Sequence, residues 1–502
     1  MTNQSELVFG SMALPPDELG VWSMHGTERI SGLFELELTL VAHGDPLDSE
    51  DIAAMLEETA YVAFGRERLH RTYGALRAVE KLAVTGATGP TFYRAWLVPR
   101  LWCATQTLRS RVFLEQRVPA IARKVLEEQG MTRNQEYLLG LVGTGRHSHK
   151  TTKARTGAGS QSYPKRPYVV QYQESDLAFL CRLLEDEGIA FFFVHDPDVG
   201  ERVLLVDDNG AFPELGPDGM VPYDTRAGIS DPSGAVQSIS RLEHVVPSRI
   251  VLRNHRLSAP RSVLIAEHAV HDGGRGVQVR FGDDFEDVAA GKRIARVRAE
   301  EVASGRVVFR GRSTVRGLHA GHRFVLAGHP DAELADVQLL VTSVSHRVVQ
   351  GGSATEGYHN DFEAVPASAQ YRPQRVTPKP RIHGFVPAVI DGTTPGTAAS
   401  VDDRGRYVVV LPFDTVGAPG GSASTRIPMA QSFAGNAYGI HFPLHIGTTV
   451  LIAHLDGDPD RPVIVGAVPD ASTTSPVTSD NPATESVIRT RGAIHVEMED
   501  DA

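Results

Sequence analysis

The chain has 502 residues, 41% apolar and 22% charged. At roughly 100 to 200 residues per domain this is a folded protein of two to four domains, and collagen, coiled coil and wholesale disorder are excluded. Fifty basic against 61 acidic side chains leave a net charge of -11, which disfavours phosphate backbones and anionic lipid as partners. The two cysteines, Cys103 and Cys181, cannot supply a disulfide framework or a Cys-rich zinc site, as expected of a protein made in a reducing cytosol. The opening MTNQSELVFGSM lacks the basic and apolar regions of a secretory signal. The longest apolar run, Ile189 to Val194, is far too short to span a bilayer.

In chain order, FELELTLVA is the first clear element: Phe34, Leu36, Leu38 and Leu40 alternate with Glu35, Glu37 and Thr39, the signature of a half-buried antiparallel strand. A helix is predicted from Pro119 to Gln129, with Pro at its opening, Gly130 beyond its end and Ile121, Val125 and Leu126 on one face. The segment 144 to 167 holds six Lys or Arg, the pair His147 and His149, and no acid, and reads as a solvated insertion. A second helix is predicted over residues 172 to 188, capped by Ser175, striped by Leu177, Leu180, Cys181 and Leu184 and ended by Gly188. The apolar strand IAFFFV follows it directly.

Further strands are predicted in RVLLVDD (202 to 208), VFRGRSTVRG (308 to 317) and RYVVVLPFD (406 to 414). A third helix, Phe285 to Val302, is weakened by Gly291, which costs about 1 kcal/mol relative to Ala. Polar, Pro-rich breaks near residues 372 to 381 and 470 to 482 divide the chain into three parts.

The search for chemistry returns mainly negatives. There is no G-x-S-x-G, no phosphate loop, no H-E-x-x-H and no G-x-G-x-x-G. His441 and His445 have helical metal-ligand spacing, but Pro443 between them argues against a helix. Asp283 and Asp284, and Asp456 to Asp460, are carboxylate clusters without a convergent partner. GDPDRP (457 to 462) reads as a rigid turn in which Arg461 pairs with Asp458 or Asp460. No catalytic residue, cofactor site or metal ligand is expected, which points to a structural or interaction protein.

Several blocks follow one another over residues 30 to 500. ISGLFELELTL, then RTYGALRAVE with FYRAWLVPRLW, then RVFLEQRVPAIARKVLEEQGM precede the most specific block, YVVQYQESDLAFLCRLLEDEGIAFFFVHD (168 to 196). IARVRAEEVASGRVVFRGRSTVRGLHAGHRFVLAGHP and LLVTSVSH come next. IHGFVPAVI, DDRGRYVVVLPFD, GIHFPLHIGTTVLIAHLDGDPDRPVIVGAV and SVIRTRGAIHVEMEDD lie beyond the first proline-rich break. In this order and spacing the chain resembles the VgrG (valine-glycine repeat) spike proteins of the type VI secretion system, similar to the hub and spike of contractile phage tails.

The resemblance implies a mainly β (α+β) fold: a hub with two barrel-like β domains and a few helices (1–372), a linker (373–380), an OB-like neck (381–470), a second linker (471–485) and the start of a trimeric β-prism (486–502). It implies a non-enzymatic homotrimer. Its partners would be a hexameric tube protein at the hub, a PAAR-repeat tip protein on the spike, baseplate components, and effectors or adaptors. The assembly would form in the cytoplasm without a signal peptide and be injected through a target cell envelope. Ile494, Val496 and Met498 alternate with His495, Glu497 and Glu499, so an apolar row is expected to face the trimer axis.

Phe413, Phe433 and Tyr438 are expected to pack where the family carries neck tryptophans. The alternatives are the hub-spike of another contractile injection system or phage tail, a spike with intrinsic glycan-hydrolase activity, and an OB-fold nucleic-acid binder. The last is disfavoured by five basic against eight acidic residues between Arg381 and Asp470.

Overall fold

The alternation in FELELTLVA is realised in the strand Glu35–Ala42, whose Leu36, Leu38 and Leu40 are buried while Glu35 is exposed. The computed structural model describes residues 7–499 apart from 65–69, 83–88, 142–162, 217, 226–233, 257–262, 284, 352–355, 418 and 482–483. His147, His149, Asp284 and most of the basic segment fall outside the described residues. The chain forms two compact units. The first comprises Met1–Thr107, Val118–Tyr163 and Asp176–Pro378; the second comprises Leu108–Arg117, Pro164–Ser175 and Lys379–Ala502.

The first unit carries two six-stranded rings. Strands Leu7–Ser11, Thr59–Phe64, Arg71–Lys81, Phe92–Val98, Glu35–Ala42 and Leu19–Arg29 pair in that order, and Val8 pairs with Gly20 to close the ring. In the second, Val236–Glu243, Val307–Ser313, Glu356–Pro366, Gln338–Val349, Arg323–Ala327 and Met220–Pro222 follow one another, and a bridge between Tyr223 and Val236 returns to the start. Closure removes the unpaired edges that invite aggregation. The rings join where Leu19–Arg29 pairs with Gln338–Val349, Glu28 opposite Val344. These are the two barrel-like modules expected of the hub.

Four helices are described. Helix α1 (Ser49–Glu57) carries a capping box in which Asp48 and Asp51 bond each other's backbone. Helix α2 (Val118–Glu128) buries Ile121, Val125 and Leu126, and Gly130 follows at φ +78°. Helix α3 (Asp176–Glu187) starts directly after Ser175, the residue expected to cap it, and residues 172 to 175 ahead of it continue the strand Arg166–Ser175. Its buried stripe runs through Phe179, Leu180, Leu183 and Leu184, and Cys181 is only half-buried. Gly188 (φ +70°) ends it.

Helix α4 (Val288–Ser304), capped by Asp287, runs straight through Gly291. A Cβ there would lie 2.8 Å from both Ala266 Cβ and the Phe285 ring, so the glycine permits close packing rather than interrupting the helix.

Segment 372–377, expected as the start of a linker, is pinned within the first unit. The Arg372 guanidinium donates to Glu300 (2.7 Å) and to the carbonyls of Gly188 and Asp207, while Arg375 donates to Asp283 (2.6 Å). Glu185 accepts the N–H groups of Val376 and Thr377 and the Thr377 hydroxyl.

In the second unit, strands Val409–Val410, Val386–Ile390, Thr449–His454 and Pro462–Ala467 form one sheet. RYVVVLPFD therefore yields only a two-residue strand, extended by a bridge from Tyr407 to Ile427. The strand pair Leu108–Gln116 and Arg166–Ser175 lies inside the span read as hub, yet Tyr168 and Val170 share a core with Tyr407, Val409, Val450 and Ile464.

Candidate functional site

The row Ile494, Val496 and Met498 lies on a terminal hairpin. Glu485–Arg489 pairs antiparallel with His495–Glu499, placing Ile488 opposite Val496 and Ser486 opposite Met498. Residues directly opposite share a face and alternate residues return to it, so Ile488, Ile494, Val496 and Met498 line one side. The turn between the strands is closed by the Thr490 N–H donating to the Ile494 carbonyl at 2.9 Å. Their exposures are 43, 67, 46 and 55%. The other side carries His495, Glu497 and Glu499. A lone two-stranded hairpin is marginal in water, and an apolar face on one needs cover.

A second apolar patch on this unit was missed by periodicity. Phe433 and Tyr438, 56 and 63% exposed, flank a hairpin of two-residue strands with ring centroids 5.6 Å apart, and Ile440 and Phe442 beside them are also exposed. The sequence signal was present as aromatic residues in a Gly-rich stretch, but no alternation marked them. Of the three residues expected to replace neck tryptophans, only Phe413 packs inward, edge-on to Tyr172 at 5.2 Å. Phe433 and Tyr438 face outward because their hairpin is too short to fold back over the core.

GDPDRP forms the tight turn expected. The Arg461 N–H donates to the Asp458 carbonyl at 2.9 Å, and the Arg461 guanidinium stands 3.6 Å from Asp456. Asp458 and Asp460 take the Lys379 ammonium between them at 2.5 and 2.6 Å, and Asp460 also accepts the Val170 N–H at 2.6 Å. The left-handed Asp456 (φ 56°) turns its carboxylate to the Arg461 guanidinium, while Lys379, far away in sequence, reaches Asp458 and Asp460.

In the same unit, Asp391 accepts four backbone N–H groups, from Gly392, Gly420, Gly421 and Ala423. Burial raises its carboxyl, but those donors hold it below the usual range. His441 lies in non-helical chain, its ring stacked on Tyr407, and His445 bridges to Ala398. Neither belongs to a group of three metal-ligating side chains among the described residues.

The first unit also presents an apolar face. In the sheet Leu264–Ala269, Arg249–Asn254, Val277–Phe281, helix α4 covers one side. On the edge strand Val279 and Phe281 are 62 and 67% exposed. No helix among the described residues is long and apolar enough to cross a membrane.

Comparison with known proteins matches the phage tail baseplate hub (GPD) model over residues 27–352 and the type VI secretion system/phage-baseplate injector OB domain over 395–468. The chain is 29% identical to the type VI secretion system spike protein VgrG5 of Pseudomonas aeruginosa, over 94% of this chain and 58% of the relative. It is 31% identical to VgrG4b of the same organism, over 93% of this chain and 56% of the relative. The chain thus spans little more than half the length of these relatives. Among solved structures it is similar to the E. coli c3393 protein, a type VI secretion component described as resembling the T4 tail proteins gp27 and gp5. That likeness has a TM-score of 0.64 at 23% identity, over 92% of this chain and 99% of that one. A Francisella PdpA–VgrG complex matches with TM-score 0.60 at 7% identity, over 98% of this chain and 75% of that one.

Proposed function

Because the chain belongs to the phage tail baseplate hub family, we propose that it is the hub and spike subunit of a type VI secretion machine, working as a homotrimer. The observation that carries this is the hairpin row of Ile488, Ile494, Val496 and Met498, each 43% exposed or more on a strand pair that cannot cover itself. Three copies closing these rows on a common axis bury them together and pair the open strand edges between chains. Phe433, Tyr438 and Phe442 on the same unit extend the contact.

Two six-stranded rings per chain give six in a trimer, the symmetry needed to seat a hexameric tube protein. A PAAR-repeat tip, baseplate components and effectors or adaptors complete the proposed partners. The role is mechanical: the spike is carried through a target cell envelope on contraction, and no catalytic step is assigned to this chain. The test is the mass of the full chain in solution, followed by imaging with its tube partner. A trimer that caps the tube is the expected result. A chain that stays monomeric at tens of micromolar, with and without that partner, overturns the proposal.

A further inference from the structure

The sequence reading expected no metal ligand, yet the seam between the two rings of the first unit gathers the donors of one. Glu28 and His346 sit on the same face of the Leu19–Arg29 and Gln338–Val349 pairing, in register positions Glu28 opposite Val344 and His346 opposite Gly26. Segment 314–322, which leads from the second ring into the strand Arg323–Ala327, brings His319 to the same point. Glu28 Oε1 lies 2.9 Å from His319 Nδ1 and 2.8 Å from His346 Nε2, and all three donor atoms fall within 4.8 Å of one another. Glu28 and His346 are buried, at 7 and 6% exposure. A cavity of about 10 Å³, bordered by Met24, Leu36 and Val62 of the first ring, opens onto Glu28, His319 and His346. That is room for one water-sized body.

Two further observations point to an occupant. First, His346 is oriented as a ligating imidazole commonly is: its Nδ1 lies 2.7 Å from the Tyr358 hydroxyl, which accepts from Asn360, whose carbonyl accepts from Ser313. Second, more imidazoles crowd the site with orphaned nitrogens. The rings of His195 and His322 stand 5.5 and 5.9 Å from that of His319, and His195 Nε2 and His322 Nδ1 are buried with no hydrogen-bond partner. The Tyr73 N–H donates to His195 Nδ1 at 3.2 Å, so neutral His195 carries its proton on the orphaned Nε2. An oxygen on a metal's open position is the acceptor that proton lacks.

We propose that Glu28, His319 and His346 bind one divalent transition-metal ion, of which Zn²⁺ is the probe, with a water in the remaining position facing His195. Two nitrogens and one carboxylate oxygen suit zinc and its neighbours rather than calcium or magnesium. Bonds of about 2.0 to 2.2 Å set tetrahedral ligand atoms about 3.3 to 3.6 Å apart, so the two contacts of Glu28 open by roughly 0.4 to 0.8 Å. The ion staples one ring to the other at their shared seam, where stiffness matters to a part that is driven through a barrier.

The full chain is stripped with chelator and titrated with Zn²⁺ against a chromophoric competitor, and with Co²⁺ by visible absorption. About one equivalent per chain, with ligand-field bands for nitrogen and oxygen donors, is expected. Glu28→Gln and His346→Asn lose that equivalent. Tyr358→Phe keeps all three ligands and the fold, checked by circular dichroism, and weakens binding roughly 10- to 100-fold. No binding by the wild-type chain, an equivalent that survives both ligand substitutions, or unchanged affinity in Tyr358→Phe overturns the site. So does an equivalent lost on His495→Ala, which would place the ion on the exposed Glu485, His495, Glu497 group instead.

Discussion

Charging the apolar row is the most direct perturbation of the proposed trimer. A whole Ile side chain is worth about 1.5 to 3 kcal/mol on burial. Covering the 67% of Ile494 now exposed therefore contributes about 1.5 kcal/mol per chain and about 4.5 kcal/mol per trimer. In a monomer–trimer equilibrium the midpoint concentration varies as the square root of the dissociation constant. Ile494→Ala, which removes most of that burial, should therefore raise the midpoint roughly 10- to 30-fold. Ile494→Asp goes further: each carboxylate must enter the contact charged, at several kcal/mol, or be protonated at neutral pH, at about 4 to 5 kcal/mol.

Summed over three chains, the aspartate variant should show no trimer at micromolar concentration. Glu497→Gln on the opposite face should leave the midpoint unchanged. Sedimentation equilibrium over a dilution series measures all four proteins. If the wild type is trimeric and Ile494→Asp matches it, or weakens it no more than Ile494→Ala does, the row does not face the axis.

Three other substitutions probe the units one at a time. Burial pushes the Glu201 carboxyl up to about 8, against one N–H donated by Arg100 at 3.2 Å. A raised carboxyl binds its proton more tightly when folded, so the Glu201 contribution to stability is fully present below about 4.5 and is lost as pH rises to about 8. Glu201→Gln should melt with the wild type near pH 5 and above it at pH 9 by scanning calorimetry. Asp391→Asn leaves two of four backbone donors facing an amide and should cost about 3 kcal/mol in denaturant unfolding. Asp391's lowered carboxyl has the opposite sign to Glu201's: its contribution is present above the ordinary carboxylate range and lost as pH falls below it. Gly291→Ala should destabilise by about 1 to 3 kcal/mol despite the gain in helix propensity, since the added methyl overlaps Ala266 and Phe285 at 2.8 Å. A stabilised Gly291→Ala would show that α4 is free to move off its sheet.

What the sequence revealed follows the range of the forces involved. Alternation in 34–42 and the proline start and glycine stop of α2 are local, and they held to within a residue. Helix α3 begins at its Ser175 cap, but that Tyr172 to Ser175 ahead of it pair with Leu108–Gln116, some 60 positions earlier, is something no local pattern records. The same distance hid the second unit's use of that strand pair. Lys379 reaching Asp458 and Asp460, and His319 and His346 meeting Glu28, are contacts across about 80 to 320 positions. The histidines were individually visible and their convergence was not. The hairpin row was readable because period two needs only neighbours, whereas Phe433 and Tyr438 needed knowledge of how short their strands are.

Edge management separates the parts built to stand alone from those left open. Both rings of the first unit close on themselves, so their strands present no free edge, and segment 372–377 is tied down by buried ion pairs and by Glu185. By contrast the terminal hairpin and the edge strand Val277–Phe281 leave unpaired backbone beside apolar faces, an arrangement that natural sheets ordinarily blunt with charge, proline or a covering element. In the proposed trimer such edges are covered by other chains. The hairpin edge suits identical copies meeting at an axis. The edge in the first unit lies on the ring-bearing part, where neighbouring copies or a stacked tube would meet it.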